Sequence, residues 1–438
     1  MQAFSHRAVW RIAAPMILSN LSVPILGMVD SGVAGHLPGP AYLGAVAVGA
    51  TIFSVIFMGM NFLRMGTTGI TAQAVGAEQP DVIRTALARS VAIALALALI
   101  LLMAQVPLRS LSLFLIAPEA DVMNYAGIYF DVRIWSAPAV LVNFAILGWF
   151  LGLQNARVPL VLLLTINITN MVLDLWFVLG LGYQVDGIAA ASVIAEYAGL
   201  AVGVAFVLRE LKKYPGRYVV SEVLNPTQMK RTIAINSNIL VRTLCLMFSF
   251  AFFTAMGARL GPLELAANAL LINLQYFMSY GLDGFALAAE ALVGKAKGMG
   301  ERRYLELAVK RCLQWTLLVA VLFSGAYALT GNMVIAWLTD IEAIRQTAAV
   351  FMPWMILSPL VSAWSFLYDG VLIGATWTRE MRNSMVFSTF VVYVPAWYFL
   401  QDLGNHGLWL AFMIFMAARA VTMFAYYRIR IDRLPSAV

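Results

Sequence analysis

Asp30 and Asp174 are carboxylic acids set in apolar sequence, VPILGMVDSGVAG and NITNMVLDLWFVLG, with no basic residue within a helical turn of either. Asn167, Asn170 and Asp174 are spaced by three and four residues, which places them on one helix face. Ser192 and Glu196 stand one turn apart in the next apolar run. A carboxylate at membrane depth costs at least a few kcal/mol, so such groups mark sites that use charge. Two of them in one low-dielectric pocket have two stable solutions. One is a proton on the pair. The other is a hard cation such as Na+, held by oxygens that Asp30, Asn170, Asp174 and Ser192 would supply. Either makes the pair an ion-coupling site. The competing reading is structural: each acid paired with an arginine, or bonded to Ser, Thr or Asn.

The elements that must position these groups are membrane helices. The chain has 438 residues, is 62% hydrophobic and is only 12% charged, and its mean hydropathy is +0.83. Soluble domains are nearer a quarter charged. Apolar runs long enough to cross a bilayer recur, and the alternating ten-residue segments of a barrel are absent. Twelve spans are predicted, near 12–34, 45–72, 90–107, 123–150, 158–180, 188–208, 233–256, 265–293, 312–330, 346–373, 385–402 and 408–427. The polar stretch 209–231, with Lys212, Lys213, Pro215, Gly216, Arg217 and Pro226, reads as a linker. It divides the chain into a lobe over 1–208 and a lobe over 232–438.

Lys and Arg fix the orientation. Twenty-two fall on one side of these spans, three (Arg109, Arg259 and Arg345) on the other, and four (Arg64, Arg133, Arg242 and Arg419) inside. By the positive-inside rule both termini are cytoplasmic, which requires an even number of spans. The same distribution explains the net charge of +7 without nucleic acid. No cleavable signal precedes the first span, which is expected to be retained in the cell (inner) membrane.

The chain is also written twice. Residues 222 apart coincide at Gly35 and Gly257, Gly39 and Gly261, Pro40 and Pro262, Gly59 and Gly281, Gly152 and Gly374, and Arg157 and Arg379. With six spans per copy, both copies insert the same way. They are expected to form two six-helix lobes related by a parallel repeat, a pseudo-twofold along the membrane normal, with a cavity between lobes that rock. The acids are not duplicated: Asp30 falls on Phe252 and Asp174 on Ala396. Counted from the span ends, Asp30, Tyr129, Asp174 and Ser192 all lie roughly 6–9 Å below the outer surface. Four helices of the first lobe thus offer polar groups at one level.

Six intramembrane acids face four arginines, so at least two acids lack a one-to-one partner. In the second copy, Asp283, Glu290 and Asp369 form either arginine pairs or a second coupling or substrate site. Pro15 and Pro24 interrupt the first span, and each removes a helix hydrogen bond. Bending there could respond to the charge on Asp30, or the kink could be static.

Enzymatic chemistry is poorly served. His6, His36 and His406 all lie at an end or in loops, which disfavours a Ser–His pair or a His-rich metal site. No phosphate-binding G-x-x-x-x-G-K-[ST] loop is present. Cys245 and Cys312 lie in apolar spans and imply no disulfide. No cofactor is expected beyond H+ or Na+ as coupling ion.

Over nearly its whole length the chain resembles the multidrug and toxic compound extrusion (MATE) family, in its DinF-like branch. The resemblance rests on RIAAPMILSNLSVPILGMVDSGVAGHL, FLRMGTTGITAQAVGA, WFLGLQNARVP, NITNMVLDLWFVLGLG, ALVGKA and LIGATWTREMRNS. It implies twelve helices in two lobes and export of drugs, often lipophilic cations, driven by protons or sodium. It further implies that Asp30 is the first-helix coupling acid. Asn170, Asp174 and Ser192 would complete the cation site, with serine where threonine is more familiar, and Tyr129 would stand nearby. Pro15 matches a proline implicated in bending the first helix. Asp369 and Glu290 match carboxyl-terminal-lobe acids that couple in other branches.

The expected protein is an antiporter that exports small amphipathic or cationic organic compounds by alternating access. It acts as a monomer in the lipid bilayer, without nucleic acid. The alternatives are a lipid-linked precursor flippase, which should have a more basic cavity, and a non-transporting scaffold or receptor.

Overall fold

The computed structural model describes residues 4–214 and 220–434. Pro215, Gly216 and Arg217 of the expected linker lie outside the described residues. The first half contains α1 (His6–Ala34), α2 (Pro40–Met60), α3 (Phe62–Gly76), α4 (Pro80–Met103), α5 (Gln105–Ile116), α6 (Ala120–Arg133), α7 (Ala137–Gly152), α8 (Arg157–Leu175) and α9 (Val185–Leu211). A short α10 (Val220–Val223) precedes α11 (Pro226–Leu260), α12 (Pro262–Gly298), α13 (Arg302–Leu338), α14 (Glu342–Gly374), α15 (Thr378–Val386), α16 (Val394–Leu400) and α17 (Gly404–Ile431).

Among the described residues, ten continuous helical stretches have the length and apolar composition to cross a bilayer. The stretch Thr378–Ile431 has 54 residues and is long enough for two crossings. It is broken by a tight turn at Gln401–Leu403 and by Gly404, whose φ is +57°. The 37-residue α12 is also long enough to cross, but Asn268, Asn273, Gln275, Asp283 and Glu290 dilute its apolar character. Counting both gives the twelve predicted crossings. The unforeseen α5 is too short to span. Leu111, Phe114 and Leu115 are exposed along it, as suits a helix lying in the membrane interface.

Packing defines two units, Leu18–Thr232 and Met1–Ile17 with Ile233–Val438. The sequence division at 208 places all of α1 in the first lobe; by packing, its residues up to Ile17 belong with the second unit. The reason is local. Trp10 meets the rings of Phe285 and Trp315 edge-on, and Gly284 leaves room for Ile17 and the carbonyl of Ala13. The later part of α1 belongs to the first unit, where Val33 and Ala34 join Ala45, Phe53, Phe130 and Ile188 in the core. α1 runs unbroken through Pro15 and Pro24.

The repeat is visible in the backbone. A Cβ at Gly148 would lie 2.2 Å from the carbonyl oxygen of Arg64, and one at Gly370 would lie 2.2 Å from that of Ala286. Both the glycines and the carbonyls are 222 residues apart, so each unit contains the same close helix crossing. Left-handed residues pair in the same way: Gln154 (φ 60°) with Thr376 (φ 51°), and Glu78 (φ 54°) with Gly300 (φ 77°). The copies diverge inside the spans. α2 and α3 are interrupted at Asn61, whereas α12 continues through the equivalent Asp283. The fourth span has a tight turn at Ile134–Ser136 between α6 and α7, whereas its counterpart α14 is continuous.

Both described ends of the linker are fastened to α4. Arg84 Nη1 donates to the carbonyls of Leu211 (3.1 Å) and Tyr214 (2.6 Å). Arg89 donates to those of Val223 (3.1 Å) and Glu222 (3.0 Å).

Candidate functional site

Six helices of the first unit line a cavity of about 320 Å³. α1 contributes Asp30, α6 Tyr129 and Arg133, α7 Asn143, α8 Asn167 and Asn170, and α9 Ser192 and Glu196. α2 adds the apolar wall of Phe53 and Phe57. Asp174 is fully buried beside it, and its carboxyl faces that of Asp30. All five residues expected at the cation site are therefore brought together.

Each is held by a local feature. Tyr129 fits because Gly49 has no side chain; a Cβ there would lie 2.3 Å from the tyrosine ring. Asn170 Nδ2 donates to Ser192 Oγ at 3.1 Å, and Asn167 Nδ2 donates to Ser22 Oγ at 2.6 Å, tying α8 to α1. Asp174 sits one residue before the end of α8, which continues as a wider π turn over Trp176–Gly180. Such turns are frequent at functional sites.

Both carboxyl oxygens of Asp174, and Oδ1 of Asp30, are buried with no hydrogen-bond donor from the protein. Bare acceptors in this setting are costly. A proton or a cation between the two acids would supply what the helices do not. Among the described residues no three His, Cys, Asp or Glu side chains form a metal-holding cluster. A bound ion would therefore rest on two carboxylates and neutral oxygens, a set that suits Na+ as well as H+.

The cavity also holds Arg133 and Glu196, to which the sequence assigns no role, and Asn143, which spacing alone does not single out. Arg133 Nη2 lies 3.9 Å from Glu196 Oε1, and its guanidinium stands over Phe53 and Phe57, 5.8 and 5.7 Å from the ring centroids. Asn143 Nδ2 donates to Glu196 Oε2 at 3.1 Å. The signal was available in the repeat. Arg133 falls on Met355, Asn143 on Ser365 and Glu196 on Ala418, so these groups leave the second copy together with the acids. There Phe252, Phe351, Met355 and Ala396 are part of the second unit's apolar core or pack against it.

The second-half acids are arranged differently. Asp369 Oδ2 accepts from Arg242 and, at 2.7 Å, from Arg419 Nη2. Asp283 acts electrostatically on the same Arg419. Glu290 is buried on α12, with Gly374 packed on its carbonyl. Arginine pairing thus accounts for Asp369. Pro15 and Pro24 fall on either side of the change of unit along α1, after Ile17.

Known proteins share this architecture. DNA damage-inducible protein F of Escherichia coli is 42% identical over 97% of this chain and 92% of its own length. Human multidrug and toxin extrusion protein 1 is 25% identical over 96% of this chain and 74% of its own. A solved MOP superfamily transporter from Pyrococcus furiosus superposes with a TM-score of 0.88 over 98% of this chain and 96% of its own; at 18% identity that likeness shows the fold alone. The MatE family model matches twice, at residues 15–176 and 239–399, once in each half. The protein is therefore a multi-pass membrane protein of the MatE family, whose members are transporters and not enzymes.

Proposed function

We propose that this chain exports small amphipathic or cationic organic compounds across the cell membrane in exchange for H+ or Na+, by alternating access, with both termini cytoplasmic. The observation that carries the reading is the Asp30–Asp174 pair, whose buried oxygens lack donors beside a polar cavity. In this reading, an outside cation loads the pair and neutralises it. Asn170 and Ser192 present neutral oxygens to the ion, and Tyr129 closes the α2 side. α1, which carries both Asp30 and two prolines, then shifts between arrangements that accept substrate and release it. One elementary charge moving through 100 mV supplies roughly 2.3 kcal/mol, enough for about a fifty-fold substrate gradient. The name of the human relative, a multidrug and toxin extrusion protein, supports the same reading.

The test is efflux of a lipophilic cation such as ethidium from proteoliposomes with independently imposed proton and sodium gradients. A response to one gradient identifies the coupling ion. Coupled efflux that survives both Asp30→Asn and Asp174→Asn unchanged would rule the reading out.

A further inference from the structure

The cavity contains a cation of its own. The titratable and charged groups in and beside it are Asp30 from α1, Tyr129 and Arg133 from α6, Asp174 from α8 and Glu196 from α9, while the linings from α2 and α7 are uncharged. Three acids thus share one arginine. Arg133 acts electrostatically on all three, yet no directional bond holds it on any. Its contact with Glu196, at 3.9 Å, is an ion pair too long for a hydrogen bond. Its Nη1 is buried with no hydrogen-bond partner. The faces of Phe53 and Phe57 beneath the guanidinium attract it without fixing its direction. Arg133 also closes α6, immediately before the turn at Ile134–Ser136 that the second copy lacks. Glu196 is held more firmly, by Asn143, whose Nδ2 donates to both its side chain and its backbone carbonyl.

We propose that Arg133 is a tethered counter-ion shared between the Asp30–Asp174 pair and Glu196, and that it displaces the coupling cation from the pair. With the pair empty, the guanidinium swings toward Asp30 and Asp174. When a cation loads the pair, Arg133 retreats to Glu196, whose charge makes that retreat favourable. Glu196 therefore tunes how strongly Arg133 competes with the ion. The charges support this economy: one arginine cannot neutralise both positions, and each position is stable only when a positive charge is present. The repeat supports it too, because Arg133, Glu196 and the two aspartates occur together in one copy and are replaced together in the other.

This inference rests on the cation-coupled reading above, and its experiment separates the two. Efflux in proteoliposomes is measured against the concentration of the coupling ion, H+ or Na+ at fixed pH, for the full-length protein and four variants. Arg133→Gln removes the competitor, so the half-saturating ion concentration is expected to fall about tenfold and the maximal rate to fall as ion release slows. Glu196→Gln removes the retreat position, so half-saturation is expected to rise about tenfold. The double variant should follow Arg133→Gln, because Glu196 acts only through the arginine. Arg133→Lys, which keeps the charge, should recover most of the wild-type half-saturation.

A merely structural ion pair predicts the opposite pattern, since breaking it from either side has one effect. Shifts in the same direction for Arg133→Gln and Glu196→Gln, or no shift in either, would overturn the proposal. Should Arg133→Gln fail to fold, Glu196→Gln decides alone: an unchanged or lowered half-saturation overturns it. If Asp30→Asn and Asp174→Asn leave coupling intact, the underlying reading fails; if they abolish it while the Arg133 series stays flat, only the tethered counter-ion fails.

Discussion

Arg419 Nη2 donates to Asp369 Oδ2 at 2.7 Å inside the second unit, and Arg242 reaches the same oxygen. That acid is thus bracketed by positive charge, whereas Asp30 and Asp174 face each other with oxygens that no protein donor satisfies. On the reading proposed above, Asp369 holds helices together through its arginines while Asp30 and Asp174 take up the ion.

Removing one partner from a buried pair leaves an uncompensated charge, which typically costs about 3–5 kcal/mol. Arg419→Leu is therefore expected to lower the thermal unfolding midpoint in detergent markedly, and Asp369→Asn to do the same to a smaller degree. Midpoints matching wild type would show that the network bears little of the fold.

Asp30→Asn and Asp174→Asn should behave in the reverse way. Each removes one of two adjacent buried negative charges, so folding should be undisturbed or improved by about 1 kcal/mol, while ion-driven efflux falls to the level of empty liposomes. Unfolding scans and efflux on the same preparations check both halves of this expectation.

The helix crossings repeated in each unit make a matched pair of packing predictions. A methyl group at Gly148 or Gly370 would sit 2.2 Å from a backbone carbonyl oxygen, which cannot move aside without its helix. Gly148→Ala and Gly370→Ala should each destabilise by about 1–3 kcal/mol through overpacking. By contrast, Gly59→Ala meets nothing within 4 Å and should be near neutral. Folded yield and unfolding midpoints of the three variants measure the difference.

Tyr129 depends on the space left by Gly49. Gly49→Ala places a methyl group 2.3 Å from its ring and must displace it. Displacements near 1 Å in positioned sites cost up to roughly a hundredfold in rate. Efflux should fall substantially while the protein remains folded, and an efflux rate equal to wild type would show that the placement of the ring does not matter.

Much was legible in the sequence because bilayers impose simple rules. Span length, apolar composition and the side on which Lys and Arg fall determine crossings with little help from tertiary contacts, and all twelve appear as helices. The 222-residue repeat also pairs Gly152 with Gly374, and in the structure both pack against a backbone carbonyl of a neighbouring helix. The same offset marked Asp30 and Asp174 as unique to one copy, and counting residues from span ends put Tyr129, Asp174 and Ser192 at the level of Asp30. Depth along a helix follows from a fixed rise per residue, so it survives without coordinates. Rotation about each helix and the choice of neighbours do not follow from it. Only the tertiary structure decided that Asp30, Tyr129, Asn170 and Ser192 line one cavity with Asp174 buried beside it, that Arg133 pairs with Glu196 while acting electrostatically on both aspartates, and that Asp369 is taken by Arg242 and Arg419. It also assigned Met1–Ile17 to the second unit, because Trp10 and Ile17 find their packing partners on α12 and α13, more than 250 residues away in the chain.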